Sequence, residues 1–417
     1  MNAQRRLLML SLAALAGAMA CSTVAGLAPT SLPTTAPTPD NAARQLEVLA
    51  AAWQAVNDKY VRPDFDGVDW AAVGERYRAQ VRAGLSDEQF AQAVRAMLAE
   101  LPPGQAAFQT RAERLAADTR DTSNYEGIGA FIAFRLEPEP HVVILALMPN
   151  SPAEQAGLKP HDSIYAVDGM PVRADEAQTV ADRIKGPADT SVVLTIQSPT
   201  GQRRSVTVPR GQVTVADSLR GGELEAVQLV YYRAPVIADP QMAETIAEHL
   251  LTVAGKYKPR GVILDLRVSH SGGSDWPLEG MLTLFGQGQL GEMYERSSAT
   301  PITVQGQDLG DSQTMPLAIL IGPDTQGLPE VFAGALRDSQ RAVLIGLPTP
   351  GAIQGYEEIP LPDGSRLYLA VSSFRTAGGV DLATTGLLPD IQVQSDWDAV
   401  TSDNDPVLEA AISFVTQ

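Results

Sequence analysis

The sequence predicts a multidomain α/β protein with three folded parts: a helical N-terminal region, a small β-rich domain with two helices, and an α/β core with a mixed sheet. Three observations support this prediction. Apolar residues recur at steps of three and four in the first part, as on one face of a helix. Short β-type runs dominate residues 118–211. From residue 212 onward, continuous apolar runs alternate with amphipathic segments, which is typical of strands buried on both faces.

Residues 1–21 have the pattern of an export signal. Two arginines precede fourteen mostly apolar residues, a run too short to span a bilayer as a permanent helix. Ala18 and Ala20 suit signal-peptide cleavage, and Cys21 follows as in bacterial lipoprotein signals, although those usually carry leucine at the position of Ala18. Cys21 is the only cysteine, so no internal disulfide forms. We expect an exported envelope protein anchored by lipid on Cys21; the alternative is a soluble periplasmic or secreted protein.

The composition is strongly acidic, with 49 acidic and 31 basic residues and a formal net charge of −18. Cleavage before Cys21 removes two arginines and no acidic residue, which makes the net charge −20. Such a surface repels phosphate backbones and anionic lipids, so we expect no nucleic-acid partner and membrane contact through the lipid alone. The four histidines are scattered and none has a neighbouring cysteine, so we expect neither a metal nor a cofactor.

The N-terminal part begins with a spacer and continues as helices. Residues 22–42 are rich in proline, threonine, serine and alanine, which favours an extended linker. Residues 43–117 form the predicted helical region. The first helix has apolar residues at helical spacing: Leu46, Leu49, Trp53 and Val56. Ser86, followed three places later by Gln89, predicts a capping box at the start of a third helix.

Residues 118–211 carry a set of short motifs that resembles the PDZ domains of bacterial proteins. The set comprises Tyr125-Glu126-Gly127-Ile128-Gly129-Ala130, Ser151-Pro152-Ala153, Ala156-Gly157-Leu158, Asp162 and Val167-Asp168-Gly169. One departure is His161, where the family usually has glycine. The resemblance implies that this domain binds the C-termini of proteins or unstructured peptides.

The predicted peptide-binding residues are Gly127, Ile128, Gly129 and Ala130. Glycines allow successive backbone N–H groups to converge on a carboxylate, and the strand that follows can pair with a bound peptide as an added strand. The alternative is that Gly127 and Gly129 only form a tight turn.

Residues 212–400 form the predicted α/β core, and residues 401–417 a C-terminal helix. The core resembles the C-terminal processing, or tail-specific, serine peptidases. The resemblance rests on Gly261–Arg267 followed by Gly272-Gly273, on Glu330–Leu336 with Asp338, on Thr349, Gly351, Leu361 and Asp363-Gly364, and on Gly386–Asp390. It implies a peptidase fold in which Gly272 and Gly273 supply oxyanion-hole backbone.

The resemblance also implies that the catalytic dyad is missing. The family uses a serine nucleophile three residues before the conserved glutamate, with lysine as its base, because a desolvated neutral amine can take the hydroxyl proton. Here those two positions hold Gly327 and Ala352. Tyr356 stands where the family usually has a glutamine, four residues after the lysine, that assists catalysis. No lysine follows Lys258, so the core has no internal replacement of the same type.

Other nucleophiles are less suitable. Ser269-His270-Ser271 resembles a serine–histidine pair, but adjacent side chains on an extended segment point to opposite faces. Thr325 is the only hydroxyl residue in the loop before Gly327. Asp265 and Arg267 are interpreted as a structural ion pair.

Three functions remain open at this stage. The first is a pseudoprotease that binds protein C-termini or scaffolds a partner. The second is an active serine-type endopeptidase with an atypical site, using Thr325 or a partner's residue. The third is a structural envelope protein without a ligand. Peptide binding and peptide cleavage separate the three.

Overall fold

The computed structural model describes residues 39–118, 124–176, 179–237, 239–271, 276–401 and 403–417. The predicted export signal with Cys21, most of the predicted linker, and the Gly272-Gly273 turn therefore lie outside the described residues. Among the residues described, no helix is both long and apolar enough to cross a bilayer.

The N-terminal unit consists of three helices, a strand and a short fourth helix. Its elements are α1 (Pro39–Lys59), α2 (Trp70–Arg82), α3 (Asp87–Leu98), β1 (Ala106–Gln109) and α4 (Arg111–Asp118). The predicted capping box is present, because the N–H of Gln89 donates to Ser86 Oγ and the N–H of Ser86 donates to Gln89 Oε1. Trp53 and Trp70 each donate an indole N–H to the other's backbone carbonyl, which fixes α1 against α2.

The PDZ-like unit follows as a small β-rich domain. Its elements are β2 (Asn124–Gly127), β3 (Ala130–Arg135), β4 (His141–Leu147), α5 (Pro152–Gln155), β5 (Ser163–Val167), β6 (Met170–Pro171), α6 (Val180–Ile184), β7 (Ser191–Gln197), β8 (Arg204–Pro209) and β9 (Gly211–Thr214). The main sheet has the order β3-β4-β5-β7-β8, so β3 is an edge strand. β2 pairs with β9, across the predicted boundary at residue 211.

The core contains the remaining elements. They are β10 (Arg220–Leu224), β11 (Leu229–Arg233), α7 (Met242–Ala254), β12 (Val262–Asp265), α8 (Leu278–Phe285), β13 (Gly288–Glu295), β14 (Ala299–Val304), β15 (Leu317–Ile321), α9 (Leu328–Asp338), β16 (Val343–Gly346), β17 (Gly355–Pro360), β18 (Arg366–Thr376), α10 (Leu382–Thr385), β19 (Ile391–Gln392) and α11 (Pro406–Thr416).

The larger core sheet is mixed, as predicted. Its order is β10-β11-β12-β15-β16-β19, with an antiparallel β10–β11 pair and parallel pairs from β11 onward. Helices cover both faces: Leu264 belongs to the apolar cluster that contains α7, α8 and α9, whereas its neighbour Ile263 packs in the cluster with α11. Burial on both faces explains why these strands are continuously apolar.

A second, antiparallel sheet joins the N-terminal unit to the core. β1 pairs with β18, which also pairs with β13 and β17, and β14 completes the sheet. The helices α1, α2 and α3 pack on this sheet, where Leu367 and Leu369 of β18 are fully buried. The N-terminal region is therefore not purely helical, since its strand β1 belongs to a sheet built by the core.

The PDZ-like unit contacts the core through the segment before α11. The indole N–H of Trp397 donates to the carbonyl of Ile144, and the Asp398 carboxylate lies 3.0 Å from His141 Nε2 and accepts from Ser163 Oγ. Burial disfavours the charged form of His141, but its bonds to Asp398 and to the Glu139 carbonyl outweigh burial and raise its pKa. The hydrogen bond from His141 lowers the pKa of Asp398.

Asp398→Asn is expected to destabilise the protein in a pH-dependent way. A depressed Asp398 pKa stabilises the fold above the unfolded value of 3.8, and a raised His141 pKa stabilises it below 6.5. The stabilisation is lost as the pH falls through the pKa of Asp398 in the folded protein, or as it rises through the pKa of His141 in the folded protein. Urea unfolding should show a larger loss at about pH 5.5 than at about pH 9, by about 1 kcal/mol.

The matched control is Asp182→Asn, which removes an exposed carboxylate on α6. Its effect on the free energy of unfolding should be the same at both pH values. Equal losses for Asp398→Asn at the two pH values would contradict the prediction.

Candidate functional site

The candidate site is at the turn between β15 and α9. Gly327 ends this turn and precedes the first residue of α9, with φ 78° and ψ −131°. Only glycine adopts this conformation without strain. A sharp turn from a strand into a helix is also where many hydrolases expose their nucleophile, since the side chain then stands at the helix N-terminus.

Glu330 connects the two positions that the sequence assigns to the missing dyad. Its side chain is fully buried. Oε2 accepts the N–H of Gly327 at 3.0 Å, while Oε1 accepts the N–H of Gly351 at 2.7 Å and the hydroxyl of Thr349 at 2.5 Å. The backbone of Ala352 also contributes a hydrogen bond. One carboxylate therefore holds the start of α9 and the Thr349–Ala352 turn together.

Burial raises the pKa of the Glu330 carboxyl, and the hydrogen bonds from Thr349, Gly351, Gly327 and Ala352 oppose that rise in part. The Thr349 hydroxyl also accepts the N–H of Leu387, which leaves its own proton for Glu330. The carboxylate thus faces donors from several elements, and it acts as the structural centre of the site.

Ser271 occupies the space in front of Gly327. The N–H of Leu328 donates to Ser271 Oγ at 3.0 Å, and a parallel bridge between His270 and Gln326 holds the two segments side by side. A β-carbon added to Gly327 would overlap the Ser271 hydroxyl. The Ser271 hydroxyl thus accepts a hydrogen bond at the N-terminus of α9. It lies in the space that a side chain at position 327 would occupy.

His270 faces away from Ser271, as expected for neighbours on an extended segment. It lines a cavity of about 410 Å³ together with β3 of the PDZ-like unit, Val236 and Asp324. Burial lowers the pKa of His270, opposed by the charge of Asp324. The structure therefore does not bring the imidazole and the Ser271 hydroxyl together as a proton relay.

Two further residues from the sequence analysis have structural contacts. Thr325 is fully buried, and its hydroxyl donates to the carbonyl of Leu266 and accepts the N–H of Gly322. Tyr356 is half-exposed on β17, and its hydroxyl donates to the carbonyl of Gly104 in the N-terminal unit. Neither hydroxyl contacts the Glu330 carboxylate.

Asp265 and Arg267 form the expected ion pair. Arg267 donates to Asp265 from Nε at 2.9 Å and from Nη2 at 2.7 Å, and Tyr231 donates to the same carboxylate. Arg267 also donates both terminal nitrogens to Asp405, which caps α11. Burial opposes ionisation of Asp265, but Arg267 outweighs it and lowers the pKa. The pair supports the backbone between β12 and Ser271.

A groove in the PDZ-like unit lies between β3 and α6. It encloses about 230 Å³ and is mostly apolar, with Ile128, Ala130 and Ile132 on one side and Ile184 on the other. The turn before β3 needs glycine at 129, where φ is 76° and a β-carbon would overlap the side chain of Ser151. The described strands pair β3 only with β4, so the edge facing the groove is open to an added strand.

The sequence predicts Gly327 and Ala352 in one site, and Glu330 links the backbones of both. The contact of Ser271 with α9 is not visible in the sequence, because Ser271 and Leu328 lie 57 positions apart. The predicted oxyanion residues Gly272 and Gly273 lie outside the described residues. Within the described part of the chain, no group of three or more histidine, cysteine, aspartate or glutamate side chains is arranged to hold a metal ion.

Gly327→Ser is expected to destabilise the protein by about 1–3 kcal/mol, since it combines a left-handed φ with overlap at the Ser271 hydroxyl. Ser271→Ala removes that hydroxyl. The double variant should therefore be more stable than the sum of the single effects predicts, by about 1 kcal/mol or more. Chemical denaturation of the four proteins measures this coupling.

The control pair is Gly327→Ser with Ser339→Ala, at the opposite end of α9. These two effects should add, because the residues share no contact. Additive effects for Gly327→Ser and Ser271→Ala would refute the steric account of this site.

Comparisons with known proteins give matches in all three parts of the chain. Peptidase family S41 matches residues 231–393, a PDZ domain matches residues 143–198, and the Tricorn protease C1 domain matches residues 42–99. The C-terminal processing peptidase, chloroplastic, of Tetradesmus obliquus is 30% identical over 359 residues, which cover 82% of this chain and 76% of that protein.

Two other relatives extend the match over more of the chain. The carboxyl-terminal-processing protease of Synechocystis sp. is 27% identical over 393 residues, which cover 89% of this chain and 86% of that protein. The solved structure of a photosystem II D1 C-terminal processing protease has a TM-score of 0.63 and 26% identity, covering 89% of this chain and 97% of that chain.

Proposed function

Since this chain belongs to the family of C-terminal processing peptidases, we propose that it is a member that binds protein C-termini without cleaving them. The observation that carries the proposal is the environment of Gly327. A glycine stands where the family motif has its nucleophile, and the hydroxyl of Ser271 fills the space that a nucleophile's side chain would need. Ala352, bound by the same Glu330 carboxylate, has no amine to act as a base.

Peptide capture by the PDZ-like unit is the activity that remains. The groove beside the open edge of β3 has an apolar wall, which suits a small or medium apolar C-terminal side chain. A bound peptide would extend the sheet by one strand, and its carboxylate would lie at the turn formed by Gly127, Ile128 and Gly129. In this proposal the core presents or scaffolds the captured partner.

The proposed location is the cell envelope. The export signal, the lone Cys21 and the spacer rich in proline and threonine together support a lipid anchor that holds the folded part away from the membrane. In this proposal the membrane contacts the protein through the lipid on Cys21.

One observation favours a second candidate function, an active endopeptidase with an atypical site. Ser271 Oγ lies at the N-terminus of α9, next to the position that the family's nucleophile occupies. A helix N-terminus favours a developing negative charge. Under this alternative Ser271 would be the nucleophile, in place of Thr325, whose hydroxyl is buried and already bonded.

Binding of a peptide with an apolar C-terminus is expected to weaken by about tenfold or more when its carboxylate is amidated, since the turn loses its anion. Ala181→Glu, which places a charge in the groove, should weaken binding to a similar extent. Fluorescence anisotropy measures both effects, and mass spectrometry of the same samples should show intact peptide.

The matched control is Leu136→Glu, an exposed position of the PDZ-like unit outside the groove. It adds the same charge and should leave binding unchanged. Cleavage that Ser271→Ala abolishes would establish the second candidate function instead. If the protein neither binds nor cleaves the peptide, the result would favour a structural envelope protein without a ligand.

A further inference from the structure

A separate cavity of about 640 Å³ lies between the PDZ-like unit and the core. The PDZ-like unit lines it with the turn before β5 and with residues of β8 and the turn that precedes it. The core lines it with the ends of β11 and β12 and the segment that leads into α11. It shares no lining residue with the peptide groove.

Arg233, at the end of β11, is the central feature of this cavity. Its Nη2 atom is buried and has no hydrogen-bond partner. Among the described residues, no carboxylate lies within ion-pairing distance of it. Its neighbour in the parallel register is Asp265, but the oxygens of Asp265 are taken by Arg267 and Tyr231. A guanidinium nitrogen without an acceptor is costly, and because the Arg233 side chain is only partly buried and lines the cavity, an acceptor bound there would be stabilised by it.

The lining contains four cations and three carboxylates, so its formal charge is +1 with Arg233 included. Asp162 accepts from Ser198 and from the N–H of Lys159, and Asp405 accepts twice from Arg267, so both carboxylates are satisfied by the protein. The side chains of Lys159 and Arg204, which also line the cavity, form no ion pair with the described carboxylates. In a chain with a net charge of −18, this cavity therefore brings together cations from two domains.

His161 lines the same cavity. Its backbone has φ 75°, a strained value for a residue with a side chain, at a position where the PDZ pattern usually has glycine. The imidazole packs on Trp397 with ring centres 4.2 Å apart, and Nδ1 lies 2.7 Å from the Trp397 carbonyl. The strain places an imidazole at the cavity wall beside the cations.

We propose that this cavity binds a small oxyanion, a molecule that carries a phosphate or carboxylate group, with Arg233 as its main ligand. A planar guanidinium can donate two parallel hydrogen bonds to either group. Lys159 and Arg204 of the PDZ-like unit supply further positive charge from the opposite wall. Because both units line the cavity, the bound anion would stabilise their contact.

The test is calorimetric titration of the mature protein with inorganic phosphate and, in a separate arm, with citrate, at constant ionic strength set by sodium chloride. Saturable binding of phosphate alone identifies a phosphate ligand, and binding of citrate alone identifies a carboxylate ligand. Either result supports the proposal when Arg233→Gln weakens binding by about tenfold or more, the loss expected for a charge-assisted hydrogen bond.

Arg82→Gln is the matched control, since Arg82 is an exposed arginine at the end of α2. Lys159→Gln changes an exposed residue and should also weaken binding, which keeps the test valid if Arg233→Gln fails to fold. No saturable binding of either anion, or equal weakening by Arg233→Gln and Arg82→Gln, would overturn the proposal.

A second measurement follows His161 by NMR. Burial and the charges of Arg267 and Arg233 lower its pKa, while the hydrogen bond with the Trp397 carbonyl and the charge of Asp405 oppose the shift. An anion on Arg233 should raise that pKa in the titration, while His270, which lines a different cavity, should not respond. An unchanged His161 pKa at a saturating anion concentration would place the anion elsewhere and overturn the proposal.

Discussion

Replacing Asp265 with alanine is expected to lower the free energy of unfolding by about 3–5 kcal/mol. Asp265 is fully buried, and its carboxylate accepts hydrogen bonds from Arg267 and Tyr231. Its loss would leave the Arg267 guanidinium buried, with Asp405 as its one remaining carboxylate among the described residues. Urea denaturation followed by circular dichroism measures the change.

A matched control is Glu75→Ala, which breaks an exposed ion pair with Arg78 on α2. That change should be within about 1 kcal/mol of zero, because water already screens the pair. Replacing Asp265 and Arg267 together by apolar residues should destabilise less than Asp265→Ala alone, since the buried guanidinium is removed with its partner and Asp405, which also bonds Arg267, lies closer to the surface. A loss for Asp265→Ala no larger than that for Glu75→Ala would contradict the buried-pair account.

Glu330→Ala is expected to lower the free energy of unfolding by about 3 kcal/mol or more. Four donors, the N–H groups of Gly327, Gly351 and Ala352 and the hydroxyl of Thr349, would lose a buried acceptor. Each unsatisfied buried donor costs about 1–3 kcal/mol. The same variant should loosen the Thr349–Ala352 turn from α9, which hydrogen exchange of the Gly351 amide would report.

Glu330→Gln removes the charge but keeps the size of the side chain, so it separates these two contributions to the free energy of unfolding. Its carbonyl can still accept from Gly351 and Thr349, while its amide would face the N–H of Gly327, so an intermediate destabilisation is expected. Glu279→Ala, an exposed glutamate in the first turn of α8, is the control and should have little effect. If the free energy of unfolding of Glu330→Ala is within about 1 kcal/mol of that of the unchanged protein, Glu330 does not hold the site together.

Local patterns predicted much of the fold. The Ser86–Gln89 capping box is present, and the runs that become β12 and β15 are buried on both faces because apolar residues occupy every position of β15 and every position of β12 except the last, Asp265. The antiparallel sheet is not predictable in the same way. Its strands β13 and β17 mix polar and apolar residues and contain glycine, so their period of two is weak. The sequence predicts a helical region around β1, which instead pairs with β18.

The site was predictable in its residue types but not in its contacts. The sequence places Gly327 and Ala352 by their spacing from Glu330 and Thr349. It cannot show that the Ser271 hydroxyl lies against Gly327, because that contact depends on a parallel bridge between two loops. For the same reason the cavity around Arg233 was not foreseen, since its residues come from two domains that meet only in the folded protein.

The pairing of β1 with β18 determines how force on the N-terminus would reach the rest of the protein. The segments Ala106–Gln109 and Arg366–Leu369 are held in antiparallel register across more than two hundred intervening residues. Tension applied through α1 is therefore borne by the sheet that the core builds, and the PDZ-like unit, which is inserted between these two strands in the chain, lies off the line of load. Its groove would keep its shape while the N-terminus is pulled.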